Sequence, residues 1–198
     1  MSAPAERVAA IVLAAGEGRR FGSQKLLAPL RDRPLLQHAL DAANASALTP
    51  IVVVLGADAA VIAASVRSGR AQIVHNPDHA TGQASSLRVG LRALDTSDAV
   101  VVVLGDQPNV TAALLDALVV AQRSSGAPAI VCVQNGRRSP PTLLHRDLWT
   151  EVDALRGDTG ARDVLARHQD VVAFDVTDSF GGLDDVDTQE DRERLLRG

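Results

Sequence analysis

Runs of hydrophobic residues alternate with amphipathic stretches along most of this chain. The runs are rich in β-branched residues and nearly continuous, which is typical of strands buried on both faces of a parallel sheet. They predict strands at Val8–Leu13, Ile51–Leu55, Ala71–Val74, Ala99–Leu104, Ala129–Val133 and Val171–Val176. Apolar residues recur at helical spacing over Pro34–Ala45 and Thr111–Arg123, which predicts two helices between the strands. Strands that alternate with helices indicate an α/β layer fold with right-handed crossovers.

The alternation breaks after the fifth predicted strand. The stretch Gln134–Pro141 is polar and basic and contains prolines, and short helical patterns follow at Arg146–Leu155 and Thr159–His168 without an intervening strand. A segment that departs from a regular alternation often binds a specific substrate. No linker or shift in composition divides the chain. We therefore expect one domain over residues 1–198, with the segment at about 134–170 serving the substrate.

Charge and composition exclude several classes of partner. The formal net charge is −4, aromatic residues make up 2% of the chain, and tyrosine is absent. Proteins that bind nucleic acid usually present a basic surface or aromatic stacking platforms, so we expect no nucleic-acid partner. The apolar runs are about ten residues long or shorter, whereas a membrane span needs ~20, so we expect no membrane-spanning segment.

The cellular compartment is predicted from the N-terminal residues and the cysteine content. The first residues contain no basic segment that leads into a long apolar stretch, which is the pattern of an export signal. Cys132 is the only cysteine, so the sequence predicts neither an internal disulfide nor a thiolate metal site. We expect a cytoplasmic protein.

The first predicted strand ends in a glycine-rich loop, LAAGEGRRFGSQK, which runs from Leu13 to Lys25. Glycines let the backbone approach a ligand and turn its amides towards an anion, so we expect the loop to bind a polyphosphate. The dinucleotide-binding pattern G-x-G-x-x-G fails because Phe21 takes the place of the third glycine. The P-loop pattern fails because Gln24 and Leu26 flank the lysine. Lys25 is also the only lysine among 20 basic residues, and a compact ammonium suits phosphate oxygens. The alternative is an ordinary glycine-rich turn with solvated arginines.

Asp106 follows the most strongly apolar run of the chain, with one glycine between them. In a parallel sheet this places its side chain at the carboxyl edge, where ligands bind. A hard cation such as Mg²⁺ takes one or two carboxylates together with phosphate oxygens and water, so Asp106 is a candidate metal ligand. The alternative is that its carboxylate only caps a turn, for which Gly-Asp-x-Pro is also suitable.

Five segments, in this order, resemble the molybdenum cofactor cytidylyltransferase and guanylyltransferase family of nucleotidyltransferases. The segments are the glycine-rich loop with its lysine, Asn76–Pro77 with Gly82–Leu91, Leu104–Pro108, Leu155–Arg162 and Asp185–Asp191. Together they extend over most of the chain. The resemblance implies a Rossmann-like three-layer nucleotidyltransferase fold, in which a mostly parallel central sheet carries helices on both faces.

The resemblance also implies a nucleotide site, in which Asn76, Gly82 and Ser86 would line the nucleobase and ribose pocket. The nucleotide-binding residues would be Leu13, Ala14, Ala15, Gly16, Gly18, Arg19, Lys25, Asn76, Gly82, Ser86 and Asp106. The catalytic residues would be Arg19 and Lys25, which bind the triphosphate, and Asp106. Asp106 and Asp187 would hold Mg²⁺ as the cofactor, with Asp185 left open as the second ligand.

The acceptor in this family is a phosphate monoester, which is already ionised near neutral pH because its second pKa is ~6. The reaction then needs positioning and charge neutralisation rather than a general base. The segment after the fifth strand would bind this acceptor. Arg137 and Arg138 would supply positive charge, and the stretch with Asp158, Gly160 and Arg162 would begin a helix whose free amides suit an anion.

Ala15 implies that the nucleotide is CTP, because L-A-A-G in the loop accompanies cytidine in this family and L-A-G-G accompanies guanosine. The implied activity is transfer of a cytidylyl group from CTP to the terminal phosphate of molybdopterin or the molybdenum cofactor, with release of pyrophosphate. A transient contact with a molybdoenzyme or its chaperone is implied as well.

Three alternatives stay open. The first is a nucleotidyltransferase that uses GTP or acts on another small phosphate, such as methylerythritol phosphate. The second is a non-catalytic molybdenum-cofactor-binding accessory protein for molybdenum hydroxylases. The third is an NAD-dependent oxidoreductase, which the failed dinucleotide pattern disfavours.

Overall fold

A seven-stranded, mostly parallel sheet forms the centre of the computed structural model, which describes residues 6–16, 21–22 and 24–197. Two very short strands, β2 and β3, form a separate hairpin. The strands of the described residues are β1 (Val8–Ala14), β2 (Pro29–Leu30), β3 (Arg33–Pro34), β4 (Ile51–Leu55), β5 (Gln72–His75), β6 (Ala99–Leu104), β7 (Ala129–Gln134), β8 (Arg137–His145) and β9 (Val172–Asp175). The order in the sheet is β5-β4-β1-β6-β8-β7-β9. All six predicted strands are confirmed, with small shifts at their ends.

Helices lie on both faces of this sheet. Those of the described residues are α1 (Leu35–Ala45), α2 (Ala59–Ser65), α3 (Gln83–Arg92), α4 (Ala112–Ser125), α5 (Trp149–Asp153), α6 (Arg162–Leu165) and α7 (Gln189–Arg197). The two predicted helices correspond to α1 and α4, and the Thr111 hydroxyl caps α4 by accepting from the Leu114 N–H at 3.2 Å. Within the described ranges, no helix is long and apolar enough to cross a membrane.

The central strand β1 is buried on both faces, which explains its continuous apolar sequence. Ala10 and Val12 belong to a core that α1 and α4 cover, and Ile11 and Leu13 belong to a second core that α3, α5 and α6 cover. Successive side chains of a strand point to opposite faces, so each strand contributes to both cores. The expected three-layer α/β nucleotidyltransferase fold is confirmed.

The carboxyl ends of three parallel strands meet at one edge of the sheet. β1 pairs with β4 and β6, and the last pairs join Ala14 to Leu55 and Leu13 to Leu104. The loops that follow β1, β4 and β6 therefore start next to each other. This edge is where ligands bind in open α/β sheets.

The polar and basic stretch Gln134–Pro141, for which no strand was predicted, forms most of a β-hairpin. β7 leads into a two-residue turn, Asn135–Gly136, and β8 returns antiparallel between β6 and β7. The turn residues have φ of 52° and 74°, the conformation for which Asn-Gly is the strongest short hairpin signal. The sequence contained this signal, but the arginines and prolines after it obscured the strand.

The helical stretches predicted after β8 are shorter in the structure. The first divides into a 3-10 turn, Arg146–Leu148, and the five-residue helix α5. The second, Thr159–His168, contains only the four-residue helix α6. Glycine is a poor helix former, and Gly157 adopts a left-handed φ of 68°. Its carbonyl accepts from the Ala84 N–H at 3.1 Å, which ties this loop to α3 rather than to a helix of its own.

Candidate active site

A lysine and two aspartates from three separate segments meet at the carboxyl edge of the sheet. Lys25 Nζ lies 2.7 Å from Asp106 Oδ2 and 3.1 Å from Asp187 Oδ1. The Lys25 and Asp106 side chains are 12% and 18% exposed, so the pair is largely shielded from water, whereas the Asp187 side chain is 34% exposed. The predicted phosphate-binding lysine and both predicted metal ligands thus form one cluster.

Gly105 allows Asp106 to lie close to the end of β1. A Cβ atom at residue 105 would lie 2.9 Å from Leu36 Cδ1 and 3.1 Å from the Leu13 carbonyl oxygen, which is tighter than ordinary contacts. The Gly105 N–H donates to that same carbonyl at 2.9 Å. The backbone therefore continues alongside β1 for one more residue and presents Asp106 above the strand ends.

Lys25 is held by the residues on either side of it. It begins a 3-10 turn, Lys25–Leu27, whose Leu26 side chain is buried against the core. Gln24 precedes the turn, and its side chain accepts from the Leu26 N–H and donates to Asp58 at 2.9 Å. The lysine thus extends from a short, anchored turn.

Asp187 is positioned by its buried neighbour and by the cap of α7. Val186 is fully buried, and its N–H donates to the Asp106 carbonyl at 3.0 Å. The Asp191 carboxylate accepts from the backbone N–H groups of Asp187 and Thr188 and from the Thr188 hydroxyl. These hydrogen bonds, led by those of Thr188, lower the pKa of Asp191 to about 2. Asp187 therefore stands at a fixed helix start.

The charges of the cluster act on one another. Burial alone lowers the pKa of Lys25, but its ion pairs with Asp106 and Asp187 outweigh burial, so the Lys25 pKa is raised and the side chain stays cationic. Desolvation raises the pKa of Asp185, and the negative charges of Asp106 and Asp187 raise it further. Asp185 therefore belongs to the same electrostatic cluster, although no hydrogen bond joins it to Lys25.

The residues present fit a hard divalent cation. Asp106 Oδ1 is buried and has no hydrogen-bond partner among the described residues, so one carboxylate oxygen is available for a ligand. The oxygen donors of Asp106 and Asp187 suit Mg²⁺ or Mn²⁺. In the part of the chain that the structure describes, no group of three or more His, Cys, Asp or Glu could hold a metal by itself. Such an ion would therefore also need phosphate oxygens and water.

A pocket of about 300 Å³ lies next to this cluster, between the sheet and α3 and α6. Its polar lining contains four of the five predicted acceptor-binding residues, Arg138, Asp158, Gly160 and Arg162, and also Asp185. The apolar lining comprises Leu13, Leu87, Val102, Leu104, Val131, Pro140, Ala161, Leu165 and Ala166. Two cationic side chains beside an apolar floor suit a ligand that joins an anionic group to a ring.

The structure differs from the expected arrangement of the acceptor segment in two respects. Arg137 does not line this pocket, because it precedes Arg138 on strand β8 and neighbouring side chains of a strand point to opposite faces. Residues Asp158 to Ala161 do not begin a helix with free amides, because α6 starts at Arg162 and has four residues. The Arg162 side chain is 86% exposed, so any contribution to the pocket comes from its charge rather than from a helix end.

The structure describes some of the predicted nucleotide-binding residues and not others. Leu13, Ala14 and Ala15 are buried at the end of β1, and Gly16 is exposed directly after them. Gly18 and Arg19, which were predicted to bind the triphosphate, lie outside the described residues. Gly56 at the end of β4 packs against this loop, since a Cβ atom there would lie 2.6 Å from the Ala15 carbonyl oxygen.

Asn76 and Ser86, which were predicted to line the nucleobase and ribose pocket, make hydrogen bonds within the protein. Asn76 is fully buried, and its amide donates to the hydroxyls of Ser85 at 2.8 Å and Ser86 at 2.9 Å. Its side-chain oxygen accepts from the Asp78 N–H at 3.0 Å. Asn76 and Ser86 therefore hold the loop after β5 against the start of α3.

Gly82, which was predicted to line the nucleotide pocket, packs closely against the backbone of Gly157. Its φ is 108°, and a Cβ atom there would lie 2.3 Å from the Gly157 carbonyl oxygen. This close approach joins the start of α3 to the loop that carries Asp158 and Gly160. Gly82 therefore shapes one wall of the pocket.

Sequence analysis missed Gln107 and Gln83. Gln107 is fully buried directly after Asp106, and its amide contacts β8 and the segment before Asp187. Gln83 lines the pocket, and its side-chain oxygen lies 2.6 Å from where a Cβ atom of Gly160 would stand. No residue pattern indicates these long-range contacts, although the position of Gln107 next to Asp106 was a signal that could have been followed.

Comparison with known proteins identifies the family of this chain. Residues 10–171 match the MobA-like NTP transferase domain family. The chain is similar to nicotine blue oxidoreductase of Paenarthrobacter nicotinovorans, with 32% identity over 96% of each chain. It is also similar to the purine catabolism protein PucB of Bacillus subtilis (strain 168), with 30% identity over 94% of this chain and 95% of that protein.

Solved structures share the same fold. The crystal structure of Rv0371c from Mycobacterium tuberculosis H37Rv has a TM-score of 0.85 and 28% identity, over 99% of this chain and 100% of that one. A structure of Rv0371c in complex with manganese has a TM-score of 0.79 and 27% identity, over 97% and 99% of the two chains. Molybdopterin-guanine dinucleotide biosynthesis protein A from Archaeoglobus fulgidus shares the fold, with a TM-score of 0.75 and 20% identity over 95% and 96%. The family match over residues 10–171 and the two relatives that align over nearly their whole length show that the chain belongs to the MobA-like NTP transferase family.

Proposed function

We propose that this chain transfers a nucleotidyl group, with CTP as the preferred donor, to the terminal phosphate of molybdopterin or the molybdenum cofactor, releasing pyrophosphate. The observation that carries the proposal is the Lys25 ammonium, which lies 2.7 Å from Asp106 and 3.1 Å from Asp187. A cation and carboxylates at the carboxyl edge of an α/β sheet are the groups that phosphoryl-type transfer requires. The proposal treats residues 1–198 as one domain acting in the cytoplasm.

Each group of the cluster has a chemical role in this reaction. Lys25 would contact the triphosphate and balance the charge that develops on the leaving pyrophosphate. Asp106 and Asp187 would hold Mg²⁺ or Mn²⁺, which when bound neutralises phosphate charge. The acceptor is already ionised near neutral pH, so this chain would need no general base. Its task is to hold the acceptor oxygen in line with the α-phosphate.

Cytidine is preferred in this proposal because of the residues around the loop. Ala15 stands where the resemblance distinguishes cytidylyl from guanylyl transfer, and its side chain is 7% exposed. Gly56 lies close to the Ala15 carbonyl, so the backbone that follows β1 and the backbone that follows β4 already occupy the space beside Ala15. A pyrimidine needs less room there than a purine.

The acceptor proposal rests on the pocket. Arg138 and Arg162 provide positive charge for a phosphate monoester, and the aliphatic floor provides an apolar surface for a ring such as a pterin. The protein would deliver its product in a transient contact with a molybdoenzyme or its chaperone. A non-catalytic binding role at the same pocket would leave the lysine and carboxylates without a use.

A second candidate function comes from the relative that is named an oxidoreductase, at 32% identity. That name favours a hydride transfer on the same scaffold as the competing activity. The loop after β1 lacks the third glycine of the dinucleotide pattern, since Phe21 stands in its place. Nicotinamide cofactor binding would therefore need a different mode.

Product analysis tests both candidates. Purified protein is incubated with molybdopterin, a divalent cation and an equimolar mixture of the four NTPs, and the products are identified by mass. We expect the cytidine dinucleotide of the pterin. A guanosine product would contradict only the base preference. A parallel incubation contains NADH or NADPH in place of the NTPs. No dinucleotide product in the first incubation, together with oxidation of NADH or NADPH in the second, would contradict nucleotidyl transfer and support the oxidoreductase.

A further inference from the structure

We propose that Gln107 is a positioning residue. It fixes the stretch from Leu183 to Asp187, and the wall of the pocket, relative to Asp106. The effect of this positioning on turnover rests on the proposed function. Gln107 directly follows Asp106 and is fully buried. Its side-chain nitrogen lies 2.9 Å from the Leu183 carbonyl oxygen, 3.0 Å from the Pro140 carbonyl oxygen and 3.1 Å from the Ser139 hydroxyl oxygen.

The first segment that Gln107 contacts carries the second carboxylate. Leu183 lies four residues before Asp187, in a stretch that is neither helix nor strand. Its carbonyl is bound by Gln107, and its N–H donates to Gln134 Oε1 at 3.0 Å. Further along, the Val186 N–H donates to the Asp106 carbonyl. The side-chain amides of Gln107 and Gln134 therefore make the hydrogen bonds to Leu183 that a neighbouring strand would make in a sheet.

The second segment that Gln107 contacts carries the pocket arginine. β8 leaves its regular pairing at this point, since Val131 pairs with Thr142 but Cys132 pairs with Ser139. Pro140 and Pro141 thus have no paired residue on β7. The Pro140 carbonyl is partly buried and needs a donor, which Gln107 supplies. Ser139 and Pro140 line the pocket next to Arg138, so the contact also fixes the pocket wall.

The Gln107 side chain makes its contacts through its nitrogen and not through its oxygen. Here the nitrogen faces three acceptors, while Oε1 is buried without a partner among the described residues. The reverse orientation would place Oε1 against two carbonyl oxygens, which would repel it. The protein leaves one polar atom unsatisfied and uses this side chain as a donor that joins three segments.

The test replaces Gln107 with Met, which keeps the length of the side chain and removes the donor. The matched control is Gln122→Met, which changes another buried glutamine, on α4. Amide hydrogen exchange is measured by mass spectrometry on both folded variants. In Gln107→Met we expect exchange of the Leu183 and Val186 amides to rise about tenfold or more, with no change in β1 and β4. A loss of overall stability would instead speed exchange everywhere.

Steady-state kinetics of nucleotidyl transfer provide the second readout. In Gln107→Met we expect kcat to fall about tenfold or more while the nucleotide KM changes less than about threefold, because Asp187 and Arg138 are displaced relative to Asp106. If Gln107→Met does not fold, Gln107→Asn, which withdraws the amide by one methylene, takes its place. Unchanged exchange over residues 183–187, or faster exchange with unchanged kcat, overturns the proposal. If the unmodified chain transfers no nucleotide, the proposed function fails, and the exchange readout alone decides the role of Gln107.

Discussion

The Lys25 ammonium lies 2.7 Å from Asp106 Oδ2, in the space between the two carboxylates that are best placed to bind a metal. The same ammonium lies 3.1 Å from Asp187 Oδ1. A cation of the chain itself therefore balances these carboxylates in the structure, and a divalent cation would have to compete with it. When the triphosphate binds, its oxygens offer the lysine another partner.

Replacing Lys25 with Met should affect metal binding and turnover in opposite directions. Without the competing ammonium, Mn²⁺ should bind about tenfold tighter or more in the absence of nucleotide, because a positive charge that occupies the space between the two carboxylates has been removed. Turnover should fall ~10²-fold or more, because a phosphate contact is lost. Titration of Mn²⁺ by electron paramagnetic resonance measures the first effect.

The control for this change is Arg33→Met, which removes a surface cation that pairs with Asp41 at 2.8 Å. It should leave both Mn²⁺ affinity and turnover unchanged. Weaker Mn²⁺ binding in Lys25→Met would show that the lysine supports the metal site instead of competing for it.

The neighbouring aspartates should differ in importance. Asp187→Asn should lower metal-dependent activity ~10²-fold or more, because Asp187 faces Lys25 at hydrogen-bond distance. Asp185→Asn should have a smaller effect, because no hydrogen bond joins Asp185 to the lysine. Initial rates over a range of Mg²⁺ and Mn²⁺ concentrations measure the difference. The opposite order would make Asp185 the second ligand, and the exposed Asp184 provides a control through Asp184→Asn.

Two adjacent arginines on β8 provide a matched pair. Arg138 lines the pocket and Arg137 does not, so Arg138→Gln should raise the acceptor KM about tenfold while Arg137→Gln should leave it unchanged. Nucleotide affinity, measured by calorimetry, should change in neither variant. Equal effects of the two substitutions on the acceptor KM would place the acceptor outside this pocket.

Gly82 should be intolerant of a side chain. In Gly82→Ala the added Cβ would collide with the Gly157 carbonyl, and such overpacking costs up to about 3 kcal/mol of unfolding free energy. Gly126→Ala is the control, because its φ is also left-handed at 65° but open space surrounds it. That change should cost about 1 kcal/mol. Thermal unfolding of both variants measures the difference, and equal losses would show that the contact with Gly157 adds nothing.

Much of the architecture follows from local pattern. Strands such as β1 and β6 are buried on both faces, so their apolar runs identify them without tertiary information. Asp106 could be placed at the carboxyl edge because it follows such a run. The strand β8 was missed because its first half is exposed and carries Arg137 and Arg138, which conceals the alternation.

The fine structure of the site depends on contacts that no local pattern indicates. Asn76 was expected beside a nucleobase, but it is buried under α3, where two serines take its amide hydrogens. The Lys25 contact with Asp187 joins residues 162 positions apart. Such pairs are set by how separate segments pack, so a sequence could suggest the members of the cluster but not their arrangement.

The rate of pyrophosphate release is the measurement that tests nucleotidyl transfer most directly. It is followed with molybdopterin and each NTP in turn, with Mg²⁺ or Mn²⁺, for the unmodified chain and for Asp106→Asn. We expect release that requires both the pterin and a divalent cation, is fastest with CTP, and is lost in Asp106→Asn. Release that is absent with all four NTPs, or that Asp106→Asn leaves intact, would contradict the proposed chemistry of the Lys25, Asp106 and Asp187 cluster.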